Sequence, residues 1–232
     1  MIFFHIFVPT TSHNAMKYLS FFILLFIGEL SVSAQHMFSR QFPFFNQLSS
    51  NEIFSIHQDR EGYFWIGSTN GLARYDGYQL NTFRTDYKNQ NLLTDNGITA
   101  INDNDLYVWI GTWKGLNLYN KQTCRITPFS DARLLDKVVD AITVDKDGNV
   151  WVSAGGMIYR CDSTAHIIKE YEVGNIQEGY AISNIYVDQQ KQLWAVGSRG
   201  IFRYEPETDS FFRYPPLGNG HTAYIMPVSY TH

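Results

Sequence analysis

Four tryptophans frame this chain. Trp65, Trp109, Trp151 and Trp194 recur at intervals of 44, 42 and 43 residues, and six positions before each stands an aspartate: Asp59, Asp103, Asp145 and Asp188. An alternating apolar segment precedes each aspartate (IFSIHQD, ITAINDND, DAITVDKD, ISNIYVDQ). After each tryptophan, a glycine-bearing turn opens a second such segment (GSTNGLARYD, GTWKGLNLYN, SAGGMIYRCD, GSRGIFRYE). One motif returning at a fixed period means one supersecondary unit repeated, and such units bury their apolar faces against each other.

Within a unit, the residues Ile53–Asp59 alternate with a period of two, which is the pattern of a strand. Asp59 stands where its carboxylate can accept backbone N–H groups of the turn Arg60-Glu61-Gly62, and Gly62 and Gly148 suit the positive φ that such turns require. Asn70-Gly71 is a short hairpin signal. Tyr75, Tyr119 and Tyr204 each follow the turn glycine by four residues, with Tyr159 as the expected counterpart in a third unit read as shortened. A third apolar–polar stretch, such as LNTFRTD (80–86) or SFFRYP (210–215), closes the unit. Four short strands in about 40–45 residues describe a propeller blade. A β-helix would need shorter repeats, and a sandwich would not return the motif four times. The expectation is an all-β β-propeller of four four-stranded blades near 42–86, 87–130, 131–172 and 173–215, with a fifth beginning over 216–232.

The amino terminus reads as an address. Met16–Gln35 (MKYLSFFILLFIGELSVSAQ) joins a basic Lys17, an apolar run and the small residues Val32-Ser33-Ala34. Those are the parts of a secretory signal peptide, with Met16 the expected true start and residues 1–34 removed. The apolar run is short for a membrane span. An exported, periplasmic protein is expected. Two cysteines, Cys124 and Cys161, are too sparse for a disulfide framework but leave room for one bridge between neighbouring blades. A net charge of −4 without a basic stripe argues against nucleic acid as a partner. Seven histidines show no ligand spacing, so neither a metal nor a cofactor is expected.

Two segments carry a family resemblance: IFSIHQDREGYFWIGSTNGLARYDG (53–77) and ITAINDNDLYVWIGTWKGLNLYN (98–120), with weaker copies at 139–162 and 182–205. They resemble the two-component regulator propeller repeat. The resemblance implies the amino-terminal part of a periplasmic sensor region in a hybrid histidine kinase. Its partners would be a second propeller, a membrane-linked kinase region and a second copy of the parent as a homodimer. It also implies an oligosaccharide released from a polysaccharide as ligand. The closing VSYTH (228–232) resembles adapter read-through at the end of an incomplete gene.

No catalytic constellation is visible. The repeated aspartates are accounted for by turns, and the repeated tryptophans by packing between sheets. Candidate ligand contacts sit where the units differ, in the turn between second and third strands. That turn holds Asn70 in the first unit, Trp113-Lys114 in the second, Gly155-Gly156 in the third and Arg199 in the fourth. Trp113 is the only tryptophan outside the periodic set, and beside two cations it could stack on a sugar. The alternatives to a sensor are an exported propeller that only binds a glycan or protein, and a secreted propeller glycosidase or lyase.

Overall fold

The computed structural model describes residues 44–85, 92–173, 182–198 and 200–214. The expected signal peptide, the expected start of a fifth unit and Arg199 lie outside these residues. Among them, all regular structure beyond short 3-10 turns is antiparallel sheet, in four sheets of four strands each.

Blade 1 consists of β1 (Ile53–Gln58), β2 (Phe64–Ser68), β3 (Gly71–Tyr75) and β4 (Leu80–Phe83). Blade 2 is β5 (Ile98–Asp103), β6 (Tyr107–Thr112), β7 (Gly115–Asn120) and β8 (Arg125–Pro128). Blade 3 is β9 (Val139–Val144), β10 (Val150–Ala154), β11 (Met157–Cys161) and β12 (Ile167–Glu172). Blade 4 is β13 (Ile182–Val187), β14 (Leu193–Gly197), β15 (Gly200–Glu205) and β16 (Ser210–Arg213). Each sheet is a meander in sequence order, and the first strands of successive blades lie side by side. This is the blade architecture of a β-propeller.

Strand alternation gives every blade two faces, and the core is the set of seams between them. Between blades 1 and 2, Trp65 and Leu72 pack on Ile98, Ile101, Val108 and Tyr119. Between blades 3 and 4, Trp151 and Ile158 pack on Ile182, Ile185, Leu193 and Tyr204. In both seams the tryptophan meets the next blade's tyrosine edge to face, 4.8 Å between ring centroids and 62° between planes. Such edge-on contact pairs the positive ring edge with the negative ring face. The seams are close enough that a Cβ on Gly67 would lie 2.6 Å from Ile98 Cγ2, and one on Gly111 would lie 2.6 Å from Val139 Cγ1.

The seam between blades 2 and 3 departs from the pattern, and the third unit is not shortened. Met157 pairs with Ala154 just as Gly71 pairs with Ser68 and Gly115 with Thr112. Cys161, opposite Val150, therefore occupies the position of Tyr75, Tyr119 and Tyr204, and Tyr159 lies two residues short of it. Counting four residues from Gly155 gives Tyr159, which misplaces the tyrosine because methionine, not glycine, holds the first position of β11. Both cysteines are free: Cys161 is buried in this seam and Cys124 is exposed in the β7–β8 turn. Burial pushes the Cys161 thiol up to about 12.

Candidate functional site

Three blades share one polar device. Asp59, Asp145 and Asp188 each use Oδ1 to accept two N–H groups of the following turn: Glu61 and Tyr63, Asp147 and Asn149, Gln190 and Gln192. Each uses Oδ2 to accept the indole N–H of its own blade's tryptophan, at 2.6, 2.8 and 2.8 Å. An arginine stands opposite the tryptophan on the third strand in these blades, as Arg74, Arg160 and Arg203. The Arg74 and Arg160 guanidiniums lie 5.9 and 5.5 Å from the indole ring centroids.

Blade 2 corrects the expectation for Asp103. Its turn is one residue tighter, and Asn104 fills the aspartate's place, with Oδ1 accepting Leu106 N and Tyr107 N. Its amide nitrogen is a donor and turns to Ser163 O at 3.1 Å, so Trp109 Nε1 is buried without an acceptor. Leu118 replaces the arginine opposite Trp109. Asp103 is instead the last residue of β5 and reaches toward blade 1. It binds His57 Nε2 at 2.7 Å, Arg60 N at 3.2 Å and the buried Lys121 Nζ at 2.7 Å. Burial alone would raise its carboxyl, but the hydrogen bonds from His57, Lys121 and Arg60 outweigh it and hold it at about 2.

Among the described residues, the end of the blades carrying the β2–β3-type turns also carries loop residues between blades, at Asn96-Gly97 and Val138. Gly71 N donates to Asn96 O and Trp113 N to Gly97 O, so consecutive loop residues tie down the turns of blades 1 and 2. Trp113 lies exposed across Gly97, where any Cβ would overlap the indole, and its ring faces that of exposed Phe54 at 6.1 Å. Lys114 Nζ stands 3.8 Å from Asp95 Oδ2. Asn70 is engaged in holding the chain, its amide donating to Ser49 O at 3.2 Å.

Phe54, Asp140 and Ser183 are missing from the sequence-derived set. Each first strand carries a β-bulge just after its opening residue, at Phe54, Thr99, Asp140 and Ser183. A bulge re-aims one side chain out of the alternating register. Three of the four are exposed, and the Thr99 hydroxyl bonds Val139 O at 2.5 Å, next to Asp140. The first strands thus carry Phe54, Thr99, Asp140 and Ser183 at equivalent bulge positions, and the Phe54 ring lies against Trp113. Desolvation by the surrounding strands pushes the Asp140 carboxyl up to about 6, with no charged partner among the described residues to oppose it. The only sequence signal was the odd residue within each first-strand alternation.

The fold and this rim define a repeat propeller with an aromatic–carboxylate edge. Within it, residues 47–70 match the family model of the two-component regulator propeller. Solved structures with the same fold include extracellular domains of two B. thetaiotaomicron proteins described as hybrid two-component systems. The BT4673 domain is 21% identical, with a TM-score of 0.59 over 75% of this chain and 23% of that one. The BT3049 domain is 20% identical, with a TM-score of 0.52 over 75% and 31%. Virginiamycin B lyase from Staphylococcus aureus is similar at 12% identity, with a TM-score of 0.58 over 74% and 58%. The chain spans less than two thirds of each of these structures. No curated protein matches.

Proposed function

We propose that this chain is an exported, ligand-sensing propeller region of a hybrid two-component histidine kinase, and that it detects a polysaccharide-derived oligosaccharide at the inner rim of blades 1 to 3. The observation that carries the reading is the exposed Trp113–Phe54 pair at the turn end, with Asp140 at the equivalent bulge of blade 3 and without a charged partner among the described residues. Aromatic faces stack on the C–H face of a sugar, while carboxylate and hydroxyl groups take its hydroxyls. The repeat match at 47–70 supports the sensor role, as does the shared fold of the hybrid two-component extracellular domains. The leader at Met16–Gln35 supports export. Signal transduction would belong to kinase parts beyond these blades.

Titration of the full chain with short neutral and uronic-acid oligosaccharides, followed by calorimetry, tests this. Trp113→Ala is expected to weaken binding roughly tenfold or more. Binding to the wild type that Trp113→Ala and Phe54→Ala leave unchanged would remove the rim from the proposal. A second reading rests on Asp140, whose raised carboxyl suits general acid–base work, and on the lyase fold likeness. Glycan turnover abolished by Asp140→Asn would favour that enzyme reading over the sensor.

A further inference from the structure

Blades 1 and 3 fill the place opposite the tryptophan with a flat cation. The Arg74 guanidinium lies 4.8 Å from the ring centroid of Tyr63 as well as 5.9 Å from that of Trp65. Blade 2 keeps the aromatic wall, with Tyr107 two residues before Trp109 as Tyr63 is before Trp65, but it sets Leu118 opposite the tryptophan. On this face, which packs on Val139, Ile142 and Val150 of blade 3, lies a cavity of about 430 Å³. Ligand pockets span roughly 300–1,000 Å³. The lining follows the sheet register. Tyr107, Asn120 and Arg125 form one cross-strand row, Leu118 and Thr127 the next, and Thr123 joins them from the β7–β8 turn. Blade 2 has a described blade on either side, so this hollow is not an end of the array.

The chemistry of that lining is one-sided. Among the described residues, no carboxylate lines the cavity, and its single charge is the Arg125 guanidinium, which has no ion-pair or hydrogen-bond partner there. Asn120 Oδ1 already accepts Gln122 N and Thr123 N, which leaves the Asn120 amide as a donor. The hydroxyls of Tyr107, Thr123 and Thr127 are likewise without a partner among the described residues. We propose that this cavity is a ligand site separate from the rim, and that it takes a small aromatic carboxylate. The ring lies on Tyr107 and Leu118, in the room that the planar guanidinium of Arg74 takes over Tyr63 in blade 1. The carboxylate pairs with Arg125, whose fork of N–H groups matches its two oxygens. A cationic occupant, which would imitate Arg74 more closely, meets Arg125 and no counter-charge.

Calorimetric titration of the full chain with 2-naphthoate, and with 2-naphthalenemethanol as its uncharged match, tests the site. Near-ultraviolet circular dichroism checks that each variant is folded. Wild type is expected to bind 2-naphthoate with a dissociation constant of about 1 mM or tighter, at least about tenfold tighter than the alcohol. Arg125→Gln, at an exposed position, is expected to erase that preference while the alcohol binds as before. Thr127→Trp, also at an exposed position, fills the cavity and is expected to weaken both ligands at least about tenfold. No binding of 2-naphthoate at ten times the expected constant overturns the proposal. Equal binding of the acid and the alcohol by wild type overturns it too, as does stronger binding of benzamidinium, the flat cation. Binding of 2-naphthoate that both substitutions leave unchanged places it elsewhere and overturns the proposal as well.

Discussion

At the scale of single residues, the polar frame and the rim titrate in opposite directions. Asp103 is held at about 2 when folded against an ordinary 3.8. Its contribution is complete above pH 4 and is lost as pH falls toward 2, because there the unfolded chain binds the proton first. That window is worth about 2 kcal/mol. Asp103→Ala should cost about 3 kcal/mol at neutral pH, since it leaves Lys121 buried and unpaired. Urea denaturation at pH 7 and pH 3 would show the loss at the first and a smaller gap at the second. Asp140 behaves oppositely. Its folded carboxyl sits at about 6, so between pH 4 and 6 the folded chain holds the extra proton and stability falls as pH rises. Asp140→Asn is expected to stabilise the chain at pH 7 and to flatten this slope in thermal melts. The turn aspartates Asp59, Asp145 and Asp188 could be read from spacing because one carboxylate satisfies both a turn and an indole. Asp103 could not, because a turn shortened by one residue leaves the Asp–Trp count at six while Asn104 takes over the work.

At the scale of elements, the blade is legible and its exceptions are coupled. Alternation, the turn glycines and the Asn70-Gly71 hairpin point to four strands per period, and the sheets follow that order. What a single unit cannot show is what its neighbour must offer. Arg74 donates to Tyr119 OH at 2.6 Å across the first seam, whereas the second seam has Leu118 on one side and Cys161 on the other. Arginine is absent on one blade where tyrosine is absent on the next. Leu118→Arg should destabilise by about 1–3 kcal/mol because it buries a charge without its partner, and Cys161→Tyr by a similar amount through overpacking. The double variant is expected to recover part of the loss, with a favourable coupling of about 1 kcal/mol in a double-mutant cycle. Additive losses would mean that the two positions do not speak to each other. The rim escaped the sequence reading for a related reason. A bulge shifts Phe54 and Asp140 out of a pattern that otherwise assigns every side chain to a face.

At the scale of the whole molecule, the seams differ in kind. Charged groups cross the first, through Asp103 with His57 and Arg74 with Tyr119. They also cross the third, where Asp209 of blade 4 receives Lys169 Nζ at 2.5 Å and Tyr171 OH at 2.6 Å from blade 3. Although burial raises it, these bonds hold the Asp209 carboxyl at about 2. Among the described residues, the side-chain bonds across the middle seam are neutral: Thr99 to Val139 O, Asn102 to Ile142 O and Asn104 to Ser163 O. Acid should therefore loosen the outer blades before the inner pair. Hydrogen exchange at pH 3 is expected to show β2 and β14 losing protection while β6 and β10 keep theirs; uniform loss would show that the seams fail together. The middle seam also carries its own clock. Cys161 is wholly enclosed with its thiol held at about 12, so an alkylating reagent meets it only during moments when blades 2 and 3 part. Exposed Cys124 on the same chain reacts without waiting. The ratio of the two labelling rates counts how often that joint opens, with no mutation and no attached probe.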